Sequence, residues 1–144
     1  MTYQAIRALF EVELANQFAA VGVPVVFDNV QETPPVNANQ MWAQITLSFT
    51  QATVPVLCPE ESCAEEIRGT VSVNVWGMRA NGMGPLELLG SQTIGTLNRI
   101  KRAAVNNPNI LSAFVGSISG PQALLDDEEP WAGVVVTAPF IARV

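Results

Sequence analysis

Two cysteines and the acids between them form the part of this sequence that is richest in side chains capable of chemistry. Cys58 and Cys63 enclose Glu60 and Glu61, and the chain contains no His and no other cysteine. Two thiolates are too few for a closed zinc site, so a metal would need two copies of the loop across an oligomer interface. A disulfide between the two cysteines is a second possibility, but a reducing cytosol opposes it. We therefore predict two reduced cysteines in a surface loop.

Acidic residues are concentrated in two short segments. Eight of the thirteen acids fall there, namely Glu60, Glu61, Glu65, Glu66, Asp126, Asp127, Glu128 and Glu129. Paired carboxylates hydrolyse glycosides only in a cleft that raises the pKa of one of them, whereas consecutive acids in a turn are ordinarily solvated. The chain also lacks His, the side chain most often used for proton transfer near neutral pH. We predict that the chain is not an enzyme.

A glycine-rich stretch has the spacing of a phosphate-binding loop. Residues 77–84 read Gly-Met-Arg-Ala-Asn-Gly-Met-Gly, between a predicted strand and a predicted helix. Met83 stands where the motif places its lysine, and Gly84 stands where the motif places the hydroxyl that holds the metal. We interpret the stretch as a connection between the two elements, and we predict no nucleotide, metal or other cofactor.

Composition favours an assembled protein over a free one. The length of 144 residues suits a single domain, 1–144. Charged residues make up 14% of the chain, against roughly 25% in typical domains, so the surface must be unusually apolar or covered by partners. The net charge of -6 has the wrong sign for a protein that grips phosphates, so DNA could pass nearby without specific binding. The sequence shows neither an export signal nor an apolar run of the roughly 20 residues that span a bilayer.

Hydrophobic periodicity predicts two amphipathic helices. The first is capped by Thr2 and stopped by Gly22 and Pro24. The second begins at Pro85 and ends before Asn106. Its predicted inner positions are Leu86, Leu89, Thr93, Leu97 and Ile100.

Alternation of apolar and polar residues predicts the strands. A short strand, Val25–Phe27, precedes an extended loop, and the clearest alternations cover Trp42–Thr50 and Ile67–Val75, predicted to be antiparallel neighbours. Two further strands are predicted at Ala113–Ala123 and Trp131–Val144. This order predicts an α+β fold, a mostly antiparallel β-sheet covered by two main helices.

The segment between the two clearest strands, residues 51–66, is too long for a tight hairpin turn. Its Pro55 and Pro59 oppose regular pairing, so we predict a loop that projects from the domain. At the ends of the two strands, Trp42 and Trp76 occupy the polar faces. Each could be an interface anchor or could pack at the edge of the core.

Four features of the sequence, in this order along the chain, resemble one protein family. They are Val25-Val26-Phe27-Asp28-Asn29, Trp42-Ala43-Gln44-Ile45, the run from Arg68 to Val75 followed by Gly84, and the final strand from Trp131 to Arg143. Together they are similar to the tail terminator, or tail-completion, family of long-tailed bacteriophages. The resemblance spans nearly the whole chain, but the Cys58–Cys63 loop has no counterpart in it.

The resemblance implies a structural protein of the virion tail or neck, assembled in the host cytoplasm. It implies a homo-oligomer, a hexameric ring that caps the tail tube, stops its polymerisation and joins it to the head-side connector protein. A neck or head-closure protein is the alternative within this class. A small-molecule-binding α+β domain or a lone hydrolase is the alternative from another class, and it would need a buried pocket with perturbed carboxylates.

Two sets of acids receive hypothetical roles within such a ring. Because the loop projects from paired strands, Glu60, Glu61, Glu65 and Glu66 are predicted to contact an adjacent ring along the axis. Asp126, Asp127, Glu128 and Glu129 are predicted to face the pore and to repel passing phosphates. For the second set, a solvated turn on the outer rim with no role fits the same sequence.

Overall fold

The computed structural model describes residues 2–27, 41–53, 66–78, 82–104, 112–125 and 131–143. Within them lie two helices and six strands, in the order α1 (Thr2–Ala20), β1 (Val25–Phe27), β2 (Trp42–Thr53), β3 (Glu66–Met78), α2 (Gly84–Ala104), β4 (Ser112–Val115), β5 (Ser119–Leu125) and β6 (Trp131–Arg143). The strands form one sheet in the order β1-β2-β3-β6-β4, and β5 also pairs with β6. β1 and β2 pair in parallel, and the other pairs are antiparallel. The predicted α+β fold is confirmed.

The first helix ends where glycine can adopt a left-handed conformation. Gly22 has a φ of 71°. The amide of Val23 donates to the carbonyl of Phe18 at 3.0 Å, and the amide of Gly22 donates to that of Ala19 at 3.2 Å. These two bonds are the Schellman pattern, which satisfies carbonyls that the last turn would leave unpaired. The chain then turns into β1.

The three long strands bury one face because their side chains alternate. On β3, buried and partly exposed residues alternate along nearly the whole strand. Facing residues of β2 and β6 share this alternation, since β3 pairs with β2 on one side and with β6 on the other. The buried positions of these strands form the floor of the core: Ala43, Ile45, Leu47, Ile67, Val71, Val73, Val75, Ala132, Val134, Val136, Ala138, Phe140 and Ala142.

Both helices cover this buried face. From α1 come Ile6, Leu9, Phe10, Leu14 and Phe18, and from α2 come Leu86, Leu89, Leu97 and Ile100. Thr93 is also fully buried, and it confirms the predicted inner face of α2. Its hydroxyl donates to the carbonyl of Leu89 at 2.9 Å and accepts a bond of 3.1 Å from the amide of Gln17, which joins the two helices.

An aromatic cluster fills the space between α1 and the sheet. The ring of Phe140 lies with its centroid 4.8 Å from that of Phe10 and 6.0 Å from that of Phe49. Phe49 in turn meets the ring of Tyr3 at 4.8 Å, edge to face. Gly69, which pairs with both Phe49 and Phe140 in the sheet, leaves the room that the Phe140 ring occupies.

The prediction of one strand over Ala113–Ala123 is wrong. The structure has β4 and β5 there, separated by residues 116–118, and both pair with β6. The amide of Gly116 donates to the carbonyl of Pro139 at 2.8 Å at the end of β4. Gly120 then has a φ of 111°, and the register of β5 shifts between Ser119 and Gln122. The chain is thus bent where a continuous strand was expected.

Strand limits elsewhere also differ from those predicted. β3 continues through Gly77 to Met78, so the stretch 77–84 begins within a strand rather than as a turn. At the other end of the β2–β3 pair, Thr53 and Glu66 are direct partners. Residues 51–53 and 66 are therefore strand, and the connection between them consists of residues 54–65, which lie outside the described part of the chain.

Candidate assembly surfaces

The sheet surface opposite the helices is composed of uncharged side chains along most of its length. We call this surface the outward sheet face, and it consists of Trp42, Gln44, Thr46 and Ser48 of β2, Thr70, Ser72, Asn74 and Trp76 of β3, and Gly133, Val135, Thr137 and Pro139 of β6. None of these residues is Asp, Glu, Lys or Arg. Solvated strand faces normally carry some charge, and charged residues are depleted at the centre of protein interfaces. The outward sheet face therefore has the composition of a contact surface.

A pair of tryptophans forms one end of the outward sheet face. Trp42 and Trp76 are cross-strand partners, and their rings stack with centroids 6.1 Å apart and planes 25° apart. Trp76 also lies over Gly133 of the next strand, where a Cβ would be 2.6 Å from Cε3 of the indole. The sequence left each tryptophan as either an interface anchor or an edge of the core, and the structure places both outside the core cluster, on the outward sheet face.

Three polar atoms of this surface are buried without a hydrogen-bond partner among the described residues. They are Nε1 of Trp42, Nε1 of Trp76 and Oδ1 of Asn74. Leaving a buried donor or acceptor unpaired costs about 1 to 3 kcal/mol. Native structures contain few such groups, and each calls for an explanation. These atoms are already inaccessible to water within one chain, so a second subunit cannot reach them and they do not mark a contact.

Replacing Gly133 by Ala is expected to displace the Trp76 ring. The new methyl would stand inside van der Waals contact with three atoms of the indole, so the ring must leave its position over Gly133. We expect Gly133→Ala to lower the free energy of unfolding by about 1 to 3 kcal/mol and to change the tryptophan fluorescence. Gly84→Ala is the control, because no described atom lies within 4 Å of a Cβ there. Wild-type stability and wild-type tryptophan fluorescence in Gly133→Ala would contradict the close contact between Gly133 and the Trp76 ring.

Charges gather at the other end of the sheet. Oε1 of Glu66 lies 2.8 Å from Nη2 of Arg68, and Oε2 of Glu66 lies 3.6 Å from Nη2 of Arg143. Both arginines are more than half exposed, so pairs of this kind contribute at most about 1 kcal/mol. Glu66, one of the acids given an axial role, thus binds arginines of its own subunit and joins the start of β3 to the end of β6.

The solvent-facing side of α1 also lacks charge. Its exposed residues are Tyr3, Gln4, Ala8, Val12, Asn16, Ala19 and Ala20. Its charged residues, Arg7, Glu11 and Glu13, are less exposed, and Arg7 pairs with Glu11 at 3.1 Å. The guanidinium of Arg7 also lies 5.7 Å from the centroid of Phe49. A surface helix usually presents charged residues to water, so this side of α1 is a second candidate contact surface.

The other predicted site residues lie outside the described part of the chain. These are Glu60, Glu61 and Glu65, the acids 126–129, and both cysteines. Their roles stay predictions. Among the described residues, no group of three or more Cys, Asp or Glu is arranged to hold a metal ion. Neither α1 nor α2 combines the length and the hydropathy of a membrane-spanning helix.

Comparison with known proteins adds information about the fold. No protein-family model matches the sequence, and no curated protein matches it. One solved chain, designated only by a sequence code, is 20% identical over 100% of this chain and 97% of its own length, with a TM-score of 0.66. A second match, to the virion of a native gene transfer agent particle, is 16% identical over 99% of this chain and 90% of that chain. Its TM-score of 0.43 is too low to support a functional argument. The first match shows that the whole chain adopts a fold seen in another protein.

Proposed function

We propose that this chain is a structural subunit of a long-tailed phage that forms a ring at the head-side end of the tail tube. The ring caps the tube, stops its polymerisation and meets the connector. The proposal combines the sequence resemblance to tail terminators with one observation, the outward sheet face, which is uncharged and carries the stacked rings of Trp42 and Trp76. The role is structural and uses no catalysis or cofactor.

Ring formation explains why the chain can dispense with surface charge. A subunit of a closed ring contacts its neighbours through two different lateral surfaces, and it presents two more surfaces along the axis. Each contact removes apolar area from water, which a free monomer with this composition would leave exposed. The low charged fraction of 14% is then a property of an assembled protein.

The expected solution state is a single species of several subunits. Light scattering on purified protein should give a mass near six times the 15.4 kDa of one chain, either alone or on mixing with tail tubes. Electron microscopy should show rings at one end of tubes that no longer elongate. A protein that stays monomeric and never binds tubes would refute the proposal. Binding to the connector without binding to tubes would instead favour the neck or head-closure role.

Replacing the connection 54–65 by a tight turn tests its predicted axial role. Because Thr53 and Glu66 are direct antiparallel partners, replacing residues 54–65 by Asn-Gly should close a regular hairpin there. We expect this variant to fold and form rings but to lose tube capping, since it lacks Glu60, Glu61 and Glu65. The control is the double variant Cys58→Ser/Cys63→Ser, which should cap normally. Normal tail length with the shortened loop would contradict the predicted axial role of these acids.

A further inference from the structure

The described part of the chain has two broad faces that point in opposite directions. α1 and α2 cover one side of the sheet, and the outward sheet face is the other side. We call the solvent-exposed side of the two helices the helical face. Because the helices and the sheet form two layers, these two faces lie on opposite sides of each subunit. A contact between the outward sheet face of one copy and the helical face of another is therefore head to tail.

The helical face carries the large apolar side chains that are exposed among the described residues. Tyr3, Val12 and Val21 belong to α1 or directly follow it, and Leu88 lies on α2; their exposed fractions run from 43% to 60%. The exposed residues of α1 include no charged side chain. On α2, the charged residues described as exposed are Glu87 and Arg99, toward opposite ends of the helix. The middle of the helical face is thus apolar or uncharged.

The outward sheet face has the same distribution of charge. Its middle is uncharged, and the ion pairs of Glu66 with Arg68 and Arg143 lie at one end of the strands. Protein interfaces have such a division, with charged residues depleted at the centre and polar residues at the rim. The two faces can meet without burying an unpaired charge, which would be strongly unfavourable.

The dimensions of the faces suit a stable contact. α1 has 19 residues and α2 has 21, so each helix is about 30 Å long. Two adjacent helices with their side chains are roughly 20 Å wide, which gives the helical face a projected area of roughly 600 Å². A standard interface buries about 800 Å² of accessible surface per partner, and an uneven surface exceeds its own projection. Each face is therefore of the size that one stable contact requires.

The proposed function selects head-to-tail packing over two-fold packing. A two-fold pair of sheet faces, or of helical faces, covers one face and leaves the other exposed. Alternating the two kinds of pair around a ring would cover both, but the two ends of that ring would be equivalent. A ring that meets the tube on one side and the connector on the other has two different ends. Such a ring needs a heterologous contact, in which two different surfaces of the chain meet.

We propose that the outward sheet face of one copy packs on the helical face of the next, and that this is the lateral contact of the ring. The inference rests on the proposed function and identifies which surfaces its subunits use. Trp42 and Trp76 supply the aromatic part of one side, and Val12 and Leu88 supply the exposed apolar side chains of the other. Tryptophans are enriched among the residues that contribute most of the binding energy at interfaces.

The first experiment places one charge on each face. Val12→Glu alters the helical face, and Ser72→Glu alters the middle of the outward sheet face, between Thr46 and Thr137. Each change should raise the concentration for half-assembly at least about tenfold, because assembly buries an unpaired carboxylate. Ser117→Glu adds the same charge at an exposed position on the sheet edge, between β4 and β5, and it should assemble normally. Ser72→Gln, which is similar in size to Ser72→Glu but neutral, should also assemble.

Mixing the two charged variants shows which faces meet. Each variant alone should be monomeric, since one of its two faces is blocked. An equal mixture should give a dimer with the mass of two chains and no larger species, because the intact sheet face of Val12→Glu can pack only on the intact helical face of Ser72→Glu. Homodimers of either variant alone would show two-fold packing and overturn the inference. A mixture that stays monomeric would also overturn it, provided that circular dichroism shows both variants to be folded.

A photo-crosslinking side chain at position 12 identifies the partner surface directly. In wild-type-like rings, a benzophenone amino acid in place of Val12 should react with β2, β3 or β6 of the neighbouring copy, which mass spectrometry of the joined peptides would show. Crosslinks to α1 or α2 of the neighbour would refute the contact. Normal rings from both charged variants would overturn the inference while leaving the proposed function intact. A wild-type chain that stays monomeric and never binds tubes would overturn both.

Discussion

Gly69→Ala should lower the free energy of unfolding by about 3 kcal/mol, at the upper end of the cost of overpacking. A Cβ at this position would collide with the carbonyl oxygen of Ser48 on the neighbouring strand, and it would also stand 2.6 Å from Cζ of Phe140. The ring of Phe140 could rotate away, but the carbonyl of Ser48 is part of the backbone pairing between β2 and β3. The strand must therefore move, and we expect the melting temperature to fall by roughly 10 °C.

Thermal or urea unfolding followed by circular dichroism measures this change. Gly84→Ala is again a control, because a Cβ there meets no described atom within 4 Å and its stability should remain near that of the wild type. Adding Phe140→Leu to Gly69→Ala should relieve the ring contact but not the contact with the Ser48 carbonyl. Wild-type stability in Gly69→Ala would show that the sheet yields more easily than this geometry indicates.

The second large effect is expected from the aromatic ring that fills the space left by Gly69. Phe140→Ala removes a fully buried ring that contacts Phe10 and Phe49, and it should cost about 4 kcal/mol. Phe10 of α1 and Phe49 of β2 would each lose a ring contact. The same unfolding experiment applies.

Phe140→Leu is the matched variant for this test. It keeps most of the apolar volume, so its loss should stay below about 1.5 kcal/mol. Because Phe140 points into the core, neither substitution touches the outward sheet face. An Ala variant that is as stable as the Leu variant would mean that α1 closes the cavity by moving toward the sheet.

Local patterns predicted most of the fold. Period-2 alternation located β2 and β3 as antiparallel partners, and helical periodicity gave the inner face of α2, including Thr93. Those patterns report only which side of an element is buried. The break between β4 and β5 had a signal in the sequence, because Gly116, Ser117 and Gly120-Pro121 are residues typical of turns, and the prediction of one continuous strand overlooked it.

The candidate surfaces were only partly visible in the sequence. Low charge indicated covered surface, and Trp42 and Trp76 stood out on polar faces. The stacking of Trp42 on Trp76, and the position of Trp76 over Gly133, depend on the register of three strands, which one strand's sequence does not reveal. Gly90 and Gly95 are indistinguishable as letters in a helix. Only the structure shows that Pro121 lies beside Gly90 and that no described atom lies within 4 Å of a Cβ at Gly95.

The pairing of β3 with β6 has a consequence for how the chain is made. Residue 66 pairs with residue 143, and every residue of β3 pairs with a residue of β6, which the ribosome synthesises much later. Loop closure over such distances is slow, and β4 and β5 also depend on β6. The nascent chain therefore carries unpaired strand edges until β6 emerges. In a cell making many copies at once, the interval before β6 arrives is when pairing between neighbouring chains competes with folding.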